Sequence, residues 1–190
     1  TQHPYSLYGY YFVSDSAGEQ KLLTETEPLD SDGAYTVDWN LEYMVHERDS
    51  FNLVDRSGVS GGGREFYGET LHANKPKLTI TFPTENVLKD KTMACFVDVA
   101  ATSSQATRIH IDMAGAKATA SIVPISVSDF YTKAERDSVF LSGNAVSTGS
   151  QQVTLTFENT VSGSTGFLNY VELNVPTALK MRSNELAISN

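Results

Sequence analysis

One cysteine, Cys95, is the whole thiol content of this 190-residue chain. No internal disulfide can form, and no cysteine-rich metal site can be built. Basic residues are scarce as well. The chain has 14 Lys and Arg against 23 Asp and Glu, a net charge of -9, and no run of Lys and Arg exceeds two residues. Such a chain has no broad positive field for nucleic acid or for an anionic membrane, so neither is expected as a partner. Long hydrophobic runs are missing too. The longest, such as 93–97 and 122–125, fall far short of the ~20 residues a membrane helix needs, so no membrane insertion is expected. No charged segment followed by an apolar one opens the chain. If the protein is exported, this implies a mature chain or an excised piece.

What is present is β-forming. Hydrophobic residues are 40% of the chain and charged residues only 19%, against a usual ~25% charged. Ser, Thr and Asn fill the difference, as in secreted β-sandwiches that expose Thr on strands and turn on Ser, Asn and Gly. Period-two alternation is the dominant pattern. Val37, Trp39, Leu41, Tyr43 and Val45 alternate with Asp38, Asn40, Glu42, Met44 and His46, which predicts the first set facing inward. Leu78, Ile80 and Phe82 repeat the pattern, as do Ile109, Ile111 and Met113, and Val153, Leu155 and Phe157. The segment 93–101 reads as a strand buried on both faces, and 166–175 as strongly β-prone. In 118–127, Pro124 favours an edge or a bulge. Residues 5–13 and 20–26 read as a hairpin, and the count of candidate strands is about eleven. Helical signal is thin. It is confined to one turn over 84–91 and a short helix or loop over 129–138. The expected fold is all-β: an antiparallel β-sandwich of jelly-roll or galactose-binding-like type with an N-terminal hairpin. The predicted organisation is a hairpin over 1–34, the sandwich over 35–176, and further strands over 177–190.

Few residues invite a chemical role. Cys95 has apolar neighbours and shares a strand face with Met93, Val97 and Val99, so it reads as a buried structural thiol rather than a nucleophile. A hydrolase of its own would need Cys95 beside a histidine, or a carboxylate pair, in a cleft. The four histidines, His3, His46, His72 and His110, fall in no metal-ligand spacing. Asp30 and Asp32 in Asp-Ser-Asp-Gly offer oxygen ligands for calcium, but the rest of an EF-hand loop is missing and any turn uses the same residues. The glycines at 61–63 lack the Lys-Ser/Thr pair of a phosphate loop. Tyr5, Tyr8, Tyr10, Tyr11 and Phe12 suit either a sugar-stacking platform or a sheet surface covered by another domain. A jelly-roll carbohydrate-binding module with a surface glycan as partner is therefore the alternative function. No cofactor is expected.

Two segments carry more than strand signal: HERDSFNLVDRSGVSGGGREFYGE, residues 46–69, and GFLNYVELNVPTALKMRSNELAI, residues 166–188. In this order and at this distance they resemble the region before the peptidase domain in type IX secretion sortases. Those proteins are gingipain-like cysteine peptidases of Bacteroidetes. His46, Glu47, Arg48 and Asp49 match an acidic-basic stretch that leads to a Ser-Gly segment. Arg64 then runs into Phe66, Tyr67, Gly68 and Glu69, which match an aromatic Tyr-Gly-Glu element. Leu168 to Asn174 match a strand with Asp common where Asn169 stands, and the GVSGGG stretch is longer than usual. Leu179, Lys180, Met181, Asn184, Glu185, Leu186 and Ile188 fit the strands that lead to the catalytic domain.

The resemblance implies an accessory sandwich of a surface sortase, secreted to the outer-membrane surface. Such a parent removes C-terminal sorting signals from cargo and joins the cargo to lipopolysaccharide. The implied partners are the downstream peptidase domain of the same parent chain and secreted cargo. The family's dyad histidine is followed by Gly, whereas these four precede Pro, Glu, Ala and Ile, so no catalytic residue carries over. Apart from the resemblance, charges at 46–49 close a strand at a sheet rim. From there Arg48 can reach Glu69 or Asp49 to fix the loop that follows, or the same charges can form a docking surface.

Overall fold

The computed structural model describes residues 37–56, 64–126, 128, 131–158 and 161–180. The chain divides into two compact units, Thr1–Thr36 and Val37–Asn190, and every described residue belongs to the second. The N-terminal hairpin, the aromatic stretch Tyr5 to Phe12, Asp30 and Asp32, the loop core at 57–63 and the strands expected beyond Lys180 lie outside the described residues.

Nine strands form the described unit: β1 (Trp39–Glu47), β2 (Glu69–Leu71), β3 (Lys77–Phe82), β4 (Thr92–Thr102), β5 (Thr107–Met113), β6 (Ala116–Ile122), β7 (Glu135–Asn144), β8 (Gln151–Glu158) and β9 (Thr165–Ala178). One helical turn, α1 (Leu53–Arg56), interrupts them. Its first turn is capped by Asn52, whose Oδ1 accepts from Val54 N at 2.7 Å. Among the described residues no helix is long and apolar enough to cross a membrane.

The strands make two antiparallel sheets, one ordered β1-β9-β4-β7 with β2 also on β9, the other β3-β8-β5-β6. Successive strands from β3 to β5 alternate between the sheets, and so do β6 to β9. That wrapping is a jelly roll, the fold the alternation predicts. Its core is the inward row of each strand: Cys95, Val97 and Val99 from β4, Ile109, Ile111 and Met113 from β5, Val153, Leu155 and Phe157 from β8, and Val171, Leu173 and Val175 from β9. Burial of a branched side chain of this kind is worth ~1.5–3 kcal/mol, so these rows also fix strand register.

Three readings of the sequence are corrected. First, β1 has the opposite phase. Met44 lies across from Leu173 and His46 across from Val171, and Met44 packs on the core, while Tyr43 and Val45 point outward and are exposed. Both faces of β1 carry apolar residues, so alternation alone could not orient it. Second, 84–91 forms no helical turn. Asn86 takes a left-handed φ of 55°, and Val87 bridges to Thr177, which plugs its side chain into the core. Third, the second half of 129–138 begins β7. Charged residues mask that strand. Its Asp137 faces the neighbouring sheet, where Oδ2 accepts from Ser121 N of β6 at 2.7 Å. Pro124 stands just beyond the end of β6, an edge strand, as a missing N–H requires.

Candidate functional site

β1 and β2 lie in series along one edge of β9. β1 pairs with Tyr170 to Ala178, and β2 with Gly166 to Leu168. The chain therefore leaves this edge after Glu47, makes an excursion, and returns to the same edge at Gly68, whose N–H donates to Leu168 O at 3.0 Å. The excursion is the first segment that carries the family resemblance. Its stem is a two-way ladder. Tyr67 N donates to Phe51 O at 2.9 Å, and Phe51 N and Ser50 N donate to Tyr67 O at 3.1 and 3.0 Å.

The stem closes tightly because residue 68 is glycine. A Cβ there would sit 2.5 Å from Arg48 Cβ and 2.6 Å from Arg48 O. That contact lets Glu69 come under the end of β1. His46 Nε2 donates to Glu69 Oε1 at 3.0 Å, and Arg48 Nη1 approaches the same oxygen at 3.5 Å. Of the two partners open to Arg48 at the rim, Glu69 is the one it takes. The Glu69 side chain is only 11% exposed, and its Oε2 is buried without a hydrogen-bond partner, a cost of ~1–3 kcal/mol. Glu47 and Asp49 do not join this pair. Their carboxylates lie near one another, and burial first, then Asp49 and Glu172, raise the Glu47 pKa. Arg64 is exposed at the start of the return segment and Phe66 is half-buried.

Over the outer side of the sheet the excursion builds a second small core of Tyr67, Ala100 and Phe167, with Phe51, Leu53 and Ala134 against it. The Phe51 and Tyr67 rings lie 6.0 and 5.7 Å from that of Phe167. Beside them runs a polar chain that the sequence reading missed. Arg136 Nε donates to Asp98 Oδ2 at 2.9 Å, and Arg136 Nη1 to Glu65 Oε1 at 2.6 Å. Asn169 Nδ2 donates to Asp98 Oδ1 at 3.0 Å. Asp98 is almost fully buried, and the register shift between Asp98 and Val99 is what turns Asn169 toward it. Tyr67 OH reaches Glu65 Oε2 at 3.3 Å, and burial, then Glu65, push its pKa well up. No sequence signal joins Glu65, Asp98 and Arg136. The pairing of β4 with β7 joins Asp98 and Arg136, and the return segment of the excursion adds Glu65 from outside any strand.

The rest of the outer face of this sheet is apolar and acidic. Val45, Glu172, Phe96 and Phe140 form one row across β1, β9, β4 and β7. Glu47, Tyr170, Asp98 and Ser138 form the next, and Tyr43, Asn174, Ala94 and Ser142 the one beyond. Phe140 is 65% exposed, Tyr43 57% and Val45 48%. Tyr43 OH donates to Glu172 Oε1 at 2.9 Å, and that bond is the main cause of a raised Tyr43 pKa.

Cys95 lies on the opposite, inner face. It is 1% exposed, and burial pushes the thiol up to about 12, which leaves it a neutral packing group. His110 is exposed on β5, between Thr119 Oγ1 at 3.0 Å and Glu158 Oε2 at 3.3 Å. Among the described residues no three His, Cys, Asp or Glu side chains gather to hold a metal.

No protein-family model and no curated protein matches the chain. Solved structures do. Dimeric latent PorU from Porphyromonas gingivalis superposes with a TM-score of 0.64 at 18% identity, over 77% of this chain and 14% of that one. The CBM36-1 domain of a multidomain xylanase from the hindgut metagenome of Trinervitermes trinervoides gives 0.41 at 14% identity, over 70% and 96%. A CBM36 module in complex with calcium and xylotriose gives 0.37 at 11% identity, over 70% and 93%. The chain thus shares its fold with a part of PorU and spans 14% of that protein's length.

Proposed function

We propose that this chain is a non-catalytic accessory sandwich, an interaction module of a gingipain-like cysteine peptidase of the sortase kind that processes type IX secretion cargo at the bacterial surface. The observation that carries the reading is the construction of residues 46–69. The described ends of the stretch that resembles the sortase family, 46–56 and 64–69, are fastened to one sheet edge by the Phe51–Tyr67 ladder and the Glu69 pair. They stand on a jelly roll that shares its fold with a part of PorU. Residues so fastened present a surface and hold it still. The one thiol is sealed in the core, which supports a supporting rather than a chemical role.

The test is association between this chain and the separately expressed peptidase domain of its parent protein, measured by titration calorimetry and by the effect on that domain's melting. Binding, or a raised melting temperature of the peptidase domain, is expected, together with no peptide hydrolysis by this chain alone. Absence of both binding and stabilisation refutes the reading. A jelly roll also suits a glycan-binding module, and titration with xylohexaose in parallel gives that alternative its own chance.

A further inference from the structure

The outer face of the five-stranded sheet combines features that seldom coexist on a solvated surface. Val45, Phe96 and Phe140 lie in one row across four strands, flanked by Tyr43 and Tyr170, and three of these five side chains are about half or more exposed. Contiguous apolar surface of this kind marks an interaction site in a soluble protein. Glu172 lies within the apolar row itself, Glu47 borders Tyr170, and Asp49 follows at the rim. The bases nearby are engaged: Arg136 by Asp98 and Glu65, Arg48 by Glu69, and Lys91 over the Trp39 ring. The charged neighbours that act on Glu47 are both carboxylates, Asp49 and Glu172.

Complementarity then names the occupant. An acidic rim repels phosphates, which sets aside nucleic acid and anionic lipid. A sugar platform needs open rings side by side, but Phe96 and Tyr170 lie nearly parallel with centroids 6.0 Å apart, and the exposed rings, Tyr43 and Phe140, stand on opposite edge strands, β1 and β7. Lys and Arg side chains satisfy both demands. Their stems cover apolar surface while their heads reach carboxylates, and an ammonium or guanidinium over an exposed phenyl ring is attracted by it. We infer that this face, centred on Glu172 and Phe140, docks a protein segment that carries Lys or Arg among apolar side chains. The inference rests on the interaction-module reading and specifies its partner chemistry.

A random 12-residue phage-displayed peptide library, panned on the whole chain and counter-selected on a Val45→Thr/Phe140→Ser variant, tests it. These two side chains are exposed, so an unchanged thermal melt of the variant is expected. Peptides recovered on the unmodified chain should carry Lys or Arg beside an aromatic or aliphatic residue. Synthetic copies should shift backbone amides of residues 43–47, 94–98, 138–142 and 170–174 in NMR spectra. Phe140→Ser and Glu172→Gln should each weaken them about tenfold, close to 1.4 kcal/mol, and Glu172→Gln should also flatten the salt dependence. Recovery of peptides without basic residues, recovery that does not discriminate against the variant, or the same amides shifting with xylohexaose instead would each overturn the assignment. The peptidase-association assay separates the two failures. If the unmodified chain binds the peptidase domain and Glu172→Gln binds it equally, the face is wrong and the module reading stands. If cationic peptides bind the face but the peptidase domain does not bind the chain, the face stands and the module reading falls.

Discussion

Replacing Gly68 by alanine should cost this protein a large part of its stability. The reason is space alone, because Gly68 has no left-handed φ. The added methyl would meet Arg48 Cβ at 2.5 Å and Arg48 O at 2.6 Å. Carbon contacts are comfortable from about 3.5 Å, so the two strands of the stem must part by roughly 1 Å. Neither obstacle is a side-chain tip that can swing aside. Overpacking of this kind costs ~1–3 kcal/mol. Parting the stem also strains Gly68 N to Leu168 O at 3.0 Å and the Phe51–Tyr67 bonds at 2.9 to 3.1 Å, each worth ~0.5–1.5 kcal/mol. The sum is about 2–4 kcal/mol out of a total of ~5–15 for a domain. Urea unfolding followed by tryptophan fluorescence should show the midpoint lowered by about 1 M with the slope unchanged, taking ~2–3 kcal/mol/M for the slope. Gly149→Ala is the control. Its nearest neighbour is Ser147 Oγ at 3.7 Å, so it should be neutral or slightly stabilising. If Gly68→Ala unfolds within about 0.2 M of the parent, the close-approach argument is wrong.

Three further outcomes follow from the same geometry. Asn169→Asp would set a second carboxylate about 3 Å from Asp98 in place of the amide donor. The pair then shares a proton, which raises one folded-state pKa above the unfolded ~3.9. The variant should be destabilised by about 2–3 kcal/mol at pH 7, with the deficit closing as pH falls from the raised value toward about 4 and gone below it, read from melts across pH; a pH-independent deficit would refute this. Arg136→Leu leaves Asp98 buried with only the Asn169 amide. It should lower the melting temperature by roughly 5–10 °C, and calorimetry showing no change would mean that Glu65 and solvent suffice. Cys95, its thiol pushed up to about 12 by burial, should not react with Ellman's reagent at about pH 8 in the folded protein and should react fully in concentrated urea. Because the folded value exceeds the unfolded 9.0, that thiol's contribution is complete below pH 9 and is lost as pH climbs toward about 12.

Strands with one apolar and one polar face were legible. Ile109, Ile111 and Met113 alternate with Arg108, His110 and Asp112, and the structure buries the first set; β3 and β8 behave alike. Where both faces carry apolar residues the signal fails. Tyr43 and Val45 looked like core and proved to belong to the exposed outer face, because period-two alternation gives the existence of a strand but not its phase. β7 was missed for the reverse reason: Arg136 and Asp137 hide a strand whose partners, Asp98, Glu65 and Ser121, come from three other segments. The Arg48–Glu69 pair could be anticipated because both ends of the excursion lie at one rim. Asp98 with Asn169 could not, since it depends on a register shift that no local pattern encodes.

A chain that departs from β9 at Glu47 and rejoins it at Gly68 behaves like a railway siding: its length can change while the main line keeps every neighbour. Lengthening a closed loop costs only ~0.6 kcal/mol per doubling, so the extra glycines between Arg56 and Arg64 are thermodynamically cheap. Homologues should therefore vary most at this point. A reporter peptide spliced between those two arginines should leave the thermal melt of the sandwich nearly unchanged.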